Sequence, residues 1–245
     1  MDDAKTTQPT RHIVNAYDVE LRQLHALIMQ MGTLAVQQID DSIQAMVRRD
    51  VEAAEAVMQR DAELDALERK VENQTIRLLA LRQPMARDLR DIVGALRIAS
   101  NLERIGDFAA NVAKRSLALQ SLPTVELTGS LAPIGRTVAD MLKSVIQVYE
   151  SDDLAGALAV RDRDEEVDRA YTALFRELLT YMMESPQRIT ACTHLLFAAK
   201  NLERIGDHAT NIAETIVFRI QGRLPEEERH KGDDSSFTVL GTDRV

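Results

Sequence analysis

The chain of 245 residues is long enough for one large domain or two small ones with a substantial hydrophobic core. The chain has only 10 glycines, 6 prolines and 4% aromatic residues, and this low content argues against an all-β fold. The abundant Ala, Leu, Glu, Arg and Gln favour helices. A net charge of −9 disfavours a nucleic-acid binder, and the single cysteine excludes a disulfide framework. Because the chain starts with a polar segment and has no apolar run near ~20 residues, we expect a soluble, cytoplasmic protein.

Breakers and capping residues divide the chain into six predicted long helices. These helices cover residues 15–49, 50–81, 84–119, 131–150, 151–185 and 186–221. Asp50 is the predicted N-cap of the second helix, and Pro84 and Pro186 occupy favoured first-turn positions. The segment 120–130, with one proline and one glycine, is the predicted linker.

The order of these signals recurs after about a hundred residues, which indicates a duplicated three-helix unit. Asp50 corresponds to Asp152 or Asp153, and Pro84 corresponds to Pro186. The sequence therefore predicts an all-α fold of two tandem, pseudo-symmetric three-helix bundles, at 10–122 and 128–223. Residues 224–245 are charged and rich in small side chains, which predicts a disordered tail.

One segment is repeated almost letter for letter. NLERIGDFAAN starts at Asn101 and NLERIGDHATN at Asn201, and nine of the eleven positions are identical at an offset of 100. A shared need for a helical core would preserve apolar character, but it would not preserve Asn, Glu, Arg and Asp by identity. A chemical or geometric requirement therefore acts on both copies.

Helical geometry divides this motif into two stripes. An apolar seam contains Leu102, Ile105, Ala109 and Val112, at spacings of three and four. A polar stripe steps by four and faces largely away from the seam. Its members are Glu103, Asp107 and Asn111 in the first copy and Glu203, Asp207 and Asn211 in the second. Carboxylates four apart stand ~5–6 Å from each other at Cβ, which is close enough to share a cation.

The second helix of each unit carries further acids. The pattern DxxxD gives Asp61 and Asp65 in the first unit and Asp164 and Asp168 in the second. Packed beside the motif helix, each pair predicts four carboxylates in one surface groove. Such oxygen clusters suit Mg²⁺, Mn²⁺ and iron and accept Zn²⁺, and without a cation they repel one another.

Each of these features also has a purely structural interpretation. Acids on the polar side of an amphipathic helix are ordinarily a solvated face. Gly106 and Gly206 cost ~1 kcal/mol each relative to alanine, which indicates close approach of a ligand or simply of another helix. His208 follows Asp207, but its counterpart is Phe108, which cannot bind a metal.

The doubled NLERIGDxxxN, each copy ending a three-helix unit, resembles the PhoU family over roughly residues 12–223. The resemblance implies a cytoplasmic, commonly dimeric protein whose E(D)xxxD motifs bind multinuclear metal clusters. It implies that Glu103, Asp107, Glu203 and Asp207 are the core ligands. Further contributors would be Asp61, Asp65, Asp164 and Asp168, with Asn111 and Asn211 as additional candidates. The first unit has the family's PMARDLRDI, whereas the second reads PQRITACTHL, so the two clusters need not be equivalent.

The resemblance also implies a regulator. Members of the family restrain phosphate uptake and phosphate-starvation signalling, and they link the ATPase subunit of the phosphate ABC transporter to a membrane sensor histidine kinase. Two other classes stay open at this point. One is a metal-dependent phosphohydrolase with bridging carboxylates, and the other is a structural protein whose repeats are packing surfaces only.

Overall fold

The computed structural model describes residues 9–225, and within that range the chain forms helices without a β-strand. The α-helices are α1 (Pro9–Arg48), α2 (Val51–Arg82), α3 (Ala86–Leu119), α4 (Leu131–Ser151), α5 (Leu154–Asp162), α6 (Asp164–Glu184) and α7 (Ile189–Gln221). Short 3₁₀ turns cover Glu126–Ser130, inside the predicted linker, and Pro186–Arg188. The predicted all-α class is confirmed, and most of the predicted tail, 226–245, lies outside the described residues.

The helix boundaries follow the predicted signals in part. Asp50 caps α2 as expected, because its Oδ1 accepts a hydrogen bond of 3.0 Å from the Ala53 backbone N–H. The prediction for Pro84 was wrong, since α3 begins at Ala86 after an extended Met85. Gln83 adopts a left-handed conformation with φ of 47°, so the chain turns here before the third helix begins.

The predicted fifth helix is interrupted at Arg163, which separates α5 from α6. The sequence there contains no glycine or proline, and Arg163 itself keeps right-handed dihedral angles of −73° and −13°. Asp164, Glu165 and Glu166 occupy the first turn of α6, where acids favour a helix N-terminus. A break at this point is therefore stabilised by the same acidic run that looks helical in the sequence.

The two motif helices pack against each other along the middle of the molecule. Arg97 of α3 lies over the Phe218 ring of α7 at 5.6 Å, and Arg115 lies over the Phe197 ring at 4.7 Å, so the helices run antiparallel. One hydrophobic cluster contains residues from both halves of the chain. None of the helices within residues 9–225 is long and apolar enough to cross a membrane.

Candidate metal centre

The first carboxylate cluster lies where α2 packs against α3. Its members are Asp61, Asp65 and Glu68 of α2 and Glu103 and Asp107 of α3. The apolar seam of α3 is fully buried, as predicted, and this burial turns the polar stripe towards the flank facing α2. The Glu103 side chain is 16% exposed and the Asp107 side chain is 34% exposed, so the stripe is half-buried.

The carboxylates of the first cluster destabilise one another's charge. Burial raises the pKa of Glu103 to about 7, and the neighbouring carboxylates of Asp107, Glu68 and Asp65 contribute to the increase. Burial, Asp107 and Asp65 likewise raise the pKa of Asp61. Arg104 at the rim opposes this effect through ion pairs of 3.4 Å to Glu103 and 3.1 Å to Asp107.

Gly106 permits the close approach of three helices at this cluster. A Cβ at this position would collide with Cδ2 of Leu64 and would come 2.9 Å from Oε1 of Gln38 and 3.4 Å from Oδ1 of Asp61. The glycine therefore allows oxygen atoms from α1 and α2 to reach the α3 backbone. The structure shows close helix packing at this residue, and the approach of a ligand stays a prediction.

The second carboxylate cluster, defined by Asp164 and Asp168 of α6 and Glu203 and Asp207 of α7, lies deeper than predicted. Asp164 and Asp168 are 1% and 2% exposed, and Glu203 is 5% exposed. The expectation of an outward-facing groove was therefore wrong for this cluster. The cause is the packing of α6 on α7, where Val167 and Asp164 approach Gly206.

The second cluster contains its own positive charge. Lys200 Nζ lies 2.8 Å from Oε1 of Glu203 and 4.8 Å from the centre of the Tyr171 ring. Burial raises the pKa of Glu203, and the Lys200 ammonium opposes the increase. Thr210 also donates a hydrogen bond of 3.4 Å to Oδ1 of Asp164. These groups neutralise part of the buried negative charge without an added ion.

The two asparagines lie nearer to solvent than the carboxylates do. Asn111 is half-buried, and its Oδ1 accepts a hydrogen bond of 3.5 Å from Lys114 Nζ. Asn211 is exposed, and its backbone carbonyl oxygen accepts a hydrogen bond from the Thr215 hydroxyl. Their roles as ligands remain predictions.

His208 lies at the contact between the two motif helices. Its Nδ1 is 2.8 Å from Oδ1 of Asn101, and its ring packs against Phe108 with centroids 5.5 Å apart. Burial lowers the pKa of His208, which keeps the imidazole neutral in the folded protein. The repeated asparagine at the start of the first motif thus has a packing role across the two repeats.

The clusters have the chemistry of a cation site, although their side chains do not surround an ion as they stand. In the described part of the chain, no three acidic, histidine or cysteine side chains are close enough together to hold one. Every donor is an oxygen, as hard cations require, and Oε2 of Glu203 is buried without a hydrogen-bond partner among the described residues. A bound cation would draw the carboxylates inward and relieve their mutual repulsion.

Three residues near these clusters are absent from the predicted ligand set. Glu68 continues the DxxxD stripe of α2, so the sequence already carried its signal. Gln38 of α1 occupies a core position in the series Met31, Ala35, Gln38 and Ser42, where a lone amide stands out. Lys200 lies just before the repeated segment, and its spacing of three residues from Glu203 was the sequence signal for their contact on one helix.

Comparison with known proteins agrees with this architecture. The family model described as the PhoU domain matches the chain twice, at residues 28–116 and 131–216. A protein of Xylella fastidiosa (strain Temecula1 / ATCC 700964) is 49% identical over 94% of this chain and 95% of its own length. A protein of Caulobacter vibrioides (strain NA1000 / CB15N) is 51% identical over 91% of this chain and 98% of its own length. Both are named phosphate-specific transport system accessory protein PhoU homolog.

Two solved structures share the fold. The crystal structure of PhoU from Pseudomonas aeruginosa is 35% identical, has a TM-score of 0.81, and covers 84% of this chain and 100% of its own. The crystal structure of the phosphate transport system regulatory protein PhoU from Streptococcus pneumoniae is 28% identical and has a TM-score of 0.80. The match covers 86% of this chain and 100% of the Streptococcus pneumoniae chain. The fold and the doubled acidic motif define a helical protein with two carboxylate-rich repeats. The chain belongs to the PhoU family.

Proposed function

We propose that this protein is a cytoplasmic, cation-binding accessory protein of phosphate transport. It would restrain phosphate uptake and phosphate-starvation signalling by coupling the ATPase subunit of the phosphate ABC transporter to a membrane sensor histidine kinase, and it would act as a homodimer. The names of its relatives support the accessory role. The observation that carries cation binding is the pair of carboxylate clusters built by the repeated motif.

The cations proposed for these sites are Mn²⁺, iron, Zn²⁺ or Mg²⁺, held by carboxylate oxygens from two helices. Glu103 and Asp107 with Asp61 and Asp65 would hold the first site. Glu203 and Asp207 with Asp164 and Asp168 would hold the second, and the two asparagines would complete the sets.

Cation binding would fix the positions of paired helices. Without a cation, the carboxylates of α2 and α3 repel one another, and this repulsion adds to burial in raising the pKa values of Asp61 and Glu103. A cation shared by both helices would remove this repulsion and lock the helical surface that the ATPase and the kinase contact. The accessory role thereby requires binding and helix positioning, and it requires no turnover of a substrate.

The test measures cation content and partner binding in the same samples. The full-length protein is treated with chelator or loaded with Mn²⁺, and its capture of the transporter ATPase subunit is compared. We expect bound Mn²⁺ and stronger capture in the loaded sample. The double variants Glu103→Gln/Asp107→Asn and Glu203→Gln/Asp207→Asn should each lose Mn²⁺ and weaken the capture.

A matched control removes two negative charges elsewhere. Glu52→Gln/Glu55→Gln changes two exposed acids of α2 and should leave both measurements unchanged. If the cluster variants behave like this control, the proposed cation role is wrong. Turnover of a phosphate ester in the presence of Mn²⁺, abolished by Asp107→Ala, would instead support a phosphohydrolase.

A further inference from the structure

A buried amide lies beside the first carboxylate cluster. Gln38 of α1 is 0% exposed, and neither its Oε1 nor its Nε2 has a hydrogen-bond partner among the described residues. Buried side-chain amides are nearly always hydrogen-bonded, because leaving them unpaired costs free energy.

The position of Gln38 directs the amide towards the cluster. The amide oxygen and Oδ1 of Asp61 approach the Cβ position of Gly106 to within 2.9 Å and 3.4 Å, beside Cδ2 of Leu64, which packs directly against this position. The glycine therefore lets an amide oxygen of α1 and a carboxylate oxygen of α2 approach the same part of α3, next to the Leu64 methyl group. Amide oxygens are ordinary ligands of hard divalent cations.

The second repeat lacks this amide. Gly32 is contacted by Ile146, and Gly135 is contacted by Ile43, so α1 and α4 pack reciprocally. Gly32 and Gly135 stand 103 residues apart, as do Ile43 and Ile146, and as do Asp61 and Asp164. The same offset pairs Gln38 with Met141, which is also 0% exposed. The fold therefore accepts a methionine at this core position and has an amide only beside the first cluster.

We propose that Gln38 is an additional ligand of the first cluster, whose amide oxygen reaches a divalent cation from the buried side while Asp61, Glu103 and Asp107 reach it from the other sides. This inference rests on the proposed cation binding and adds a residue from α1, so that one ion would connect three helices. It also makes the first site chemically different from the second, which has no amide at the corresponding position.

The test is Mn²⁺ binding by the full-length protein in which Glu203→Gln/Asp207→Asn has disabled the second cluster. Gln38→Met introduces the residue of the second repeat, and Gln37→Met, at the exposed neighbouring glutamine, is the matched control. We expect the Kd for Mn²⁺ to rise at least tenfold in Gln38→Met and to stay unchanged in Gln37→Met. Equal Kd values for the parent and Gln38→Met would overturn the proposal.

Thermal melting separates a ligand from a packing residue. In chelator, Gln38→Met should melt at the same temperature as its parent or higher, because the variant removes an unpaired buried amide. The increase in Tm on adding Mn²⁺ should shrink in the same variant. A Gln38→Met protein that melts lower in chelator, with an undiminished Mn²⁺ effect, would assign Gln38 to packing alone.

A second pair of variants covers a failure of Gln38→Met to fold. Gln38→Asn keeps the amide but withdraws it by one methylene, and we expect weakened Mn²⁺ binding. Gln38→Glu keeps an oxygen at the same reach, and we expect binding to be retained. Parent-like binding by Gln38→Asn contradicts the proposal. A parent that binds no Mn²⁺ would refute the cation site itself, and Gln38 as its ligand with it.

Discussion

The two carboxylate clusters arise from nearly identical motifs, yet they differ in burial and in charge. The first is half-buried and contains a fifth carboxylate in Glu68, and Arg104 at its rim pairs with Glu103 and Asp107. The second is almost fully enclosed, and Lys200 supplies an ammonium within 2.8 Å of Glu203. At the positions that correspond to Glu68 and Glu72 of α2, the second repeat has Tyr171 and Phe175.

This difference arises outside the repeated motif, from the packing of the neighbouring helix and from Lys200 just before the second motif. The first cluster is self-repelling and gains most from an added cation. The second is partly neutralised within the protein, so a cation there must compete with Lys200. We therefore expect the first cluster to respond more strongly to the removal and addition of metal.

The largest contrast is expected between the two motif glycines. Gly106→Ala places a Cβ against Leu64, Gln38 and Asp61, whereas Gly206→Ala meets only contacts of 3.3–3.4 Å to Asp164 and Val167. After the gain in helix propensity, Gly106→Ala should lower the free energy of unfolding by about 1–3 kcal/mol. Gly206→Ala should change it by less than about 1 kcal/mol. Denaturant unfolding measures both, and equal values would contradict the difference in helix approach.

The next contrast concerns Lys200. Lys200→Met removes the ammonium from a buried glutamate and should destabilise the chelated protein by about 1–2 kcal/mol, less than for a fully buried pair because Lys200 is one-third exposed. The same variant should bind Mn²⁺ more tightly at the second cluster. Lys70→Met, at an exposed lysine of α2, is the control. A Lys200→Met protein with unchanged stability and unchanged affinity would show that the ammonium does not neutralise the cluster.

A smaller effect with a defined pH dependence is expected at Glu103. The pKa of Glu103 is about 7 in the folded protein, compared with an ordinary value of 4.5. The stability that this group contributes is therefore complete below pH 4.5 and is lost as the pH rises through about 7. In chelator at pH 8, Glu103→Gln should therefore increase the free energy of unfolding by about 1 kcal/mol. At pH 4 the difference should disappear.

Glu63→Gln, at an exposed acid of α2, serves as the control for this pH series. The Mn²⁺ affinity of the parent protein should also increase as the pH rises through 7, because the proton and the cation compete for the same carboxylate. A Glu103→Gln protein that is less stable than the parent at pH 8 in chelator would contradict the proposed repulsion.

The smallest effect is expected at the contact between the motif helices. His208→Phe gives the second repeat the residue of the first, removes the contact with Asn101, and should cost under about 1 kcal/mol at pH 8. Burial lowers the His208 pKa below 6.5, so the parent loses this group's stability as the pH falls below 6.5. The difference in free energy of unfolding between the parent and the variant should therefore be smaller at pH 5 than at pH 8. An equal difference at both pH values would contradict a buried neutral imidazole.

Much of the fold could be predicted from the sequence, because helix periodicity and breakers act locally. The apolar seam of α3, the cap at Asp50 and the duplicated helix order follow directly from residue types. The interruption at Arg163 could not be predicted, since the acidic run after it suits a continuous helix and a helix start equally well.

The candidate site could be predicted only as far as its own helices extend. The acids of the motif and the DxxxD pairs are visible at fixed spacings. The burial of Glu203 and the unpaired amide of Gln38 depend on how separate helices pack, and a single sequence does not encode those distances in a readable pattern.

The most direct test is a crystal structure of the protein grown with Mn²⁺ and measured at the manganese absorption edge. An anomalous peak among Asp61, Glu103 and Asp107, with the amide oxygen of Gln38 at bonding distance, is the predicted result. Carboxylates that remain separated around a site without anomalous signal, in crystals with excess Mn²⁺, would contradict the account.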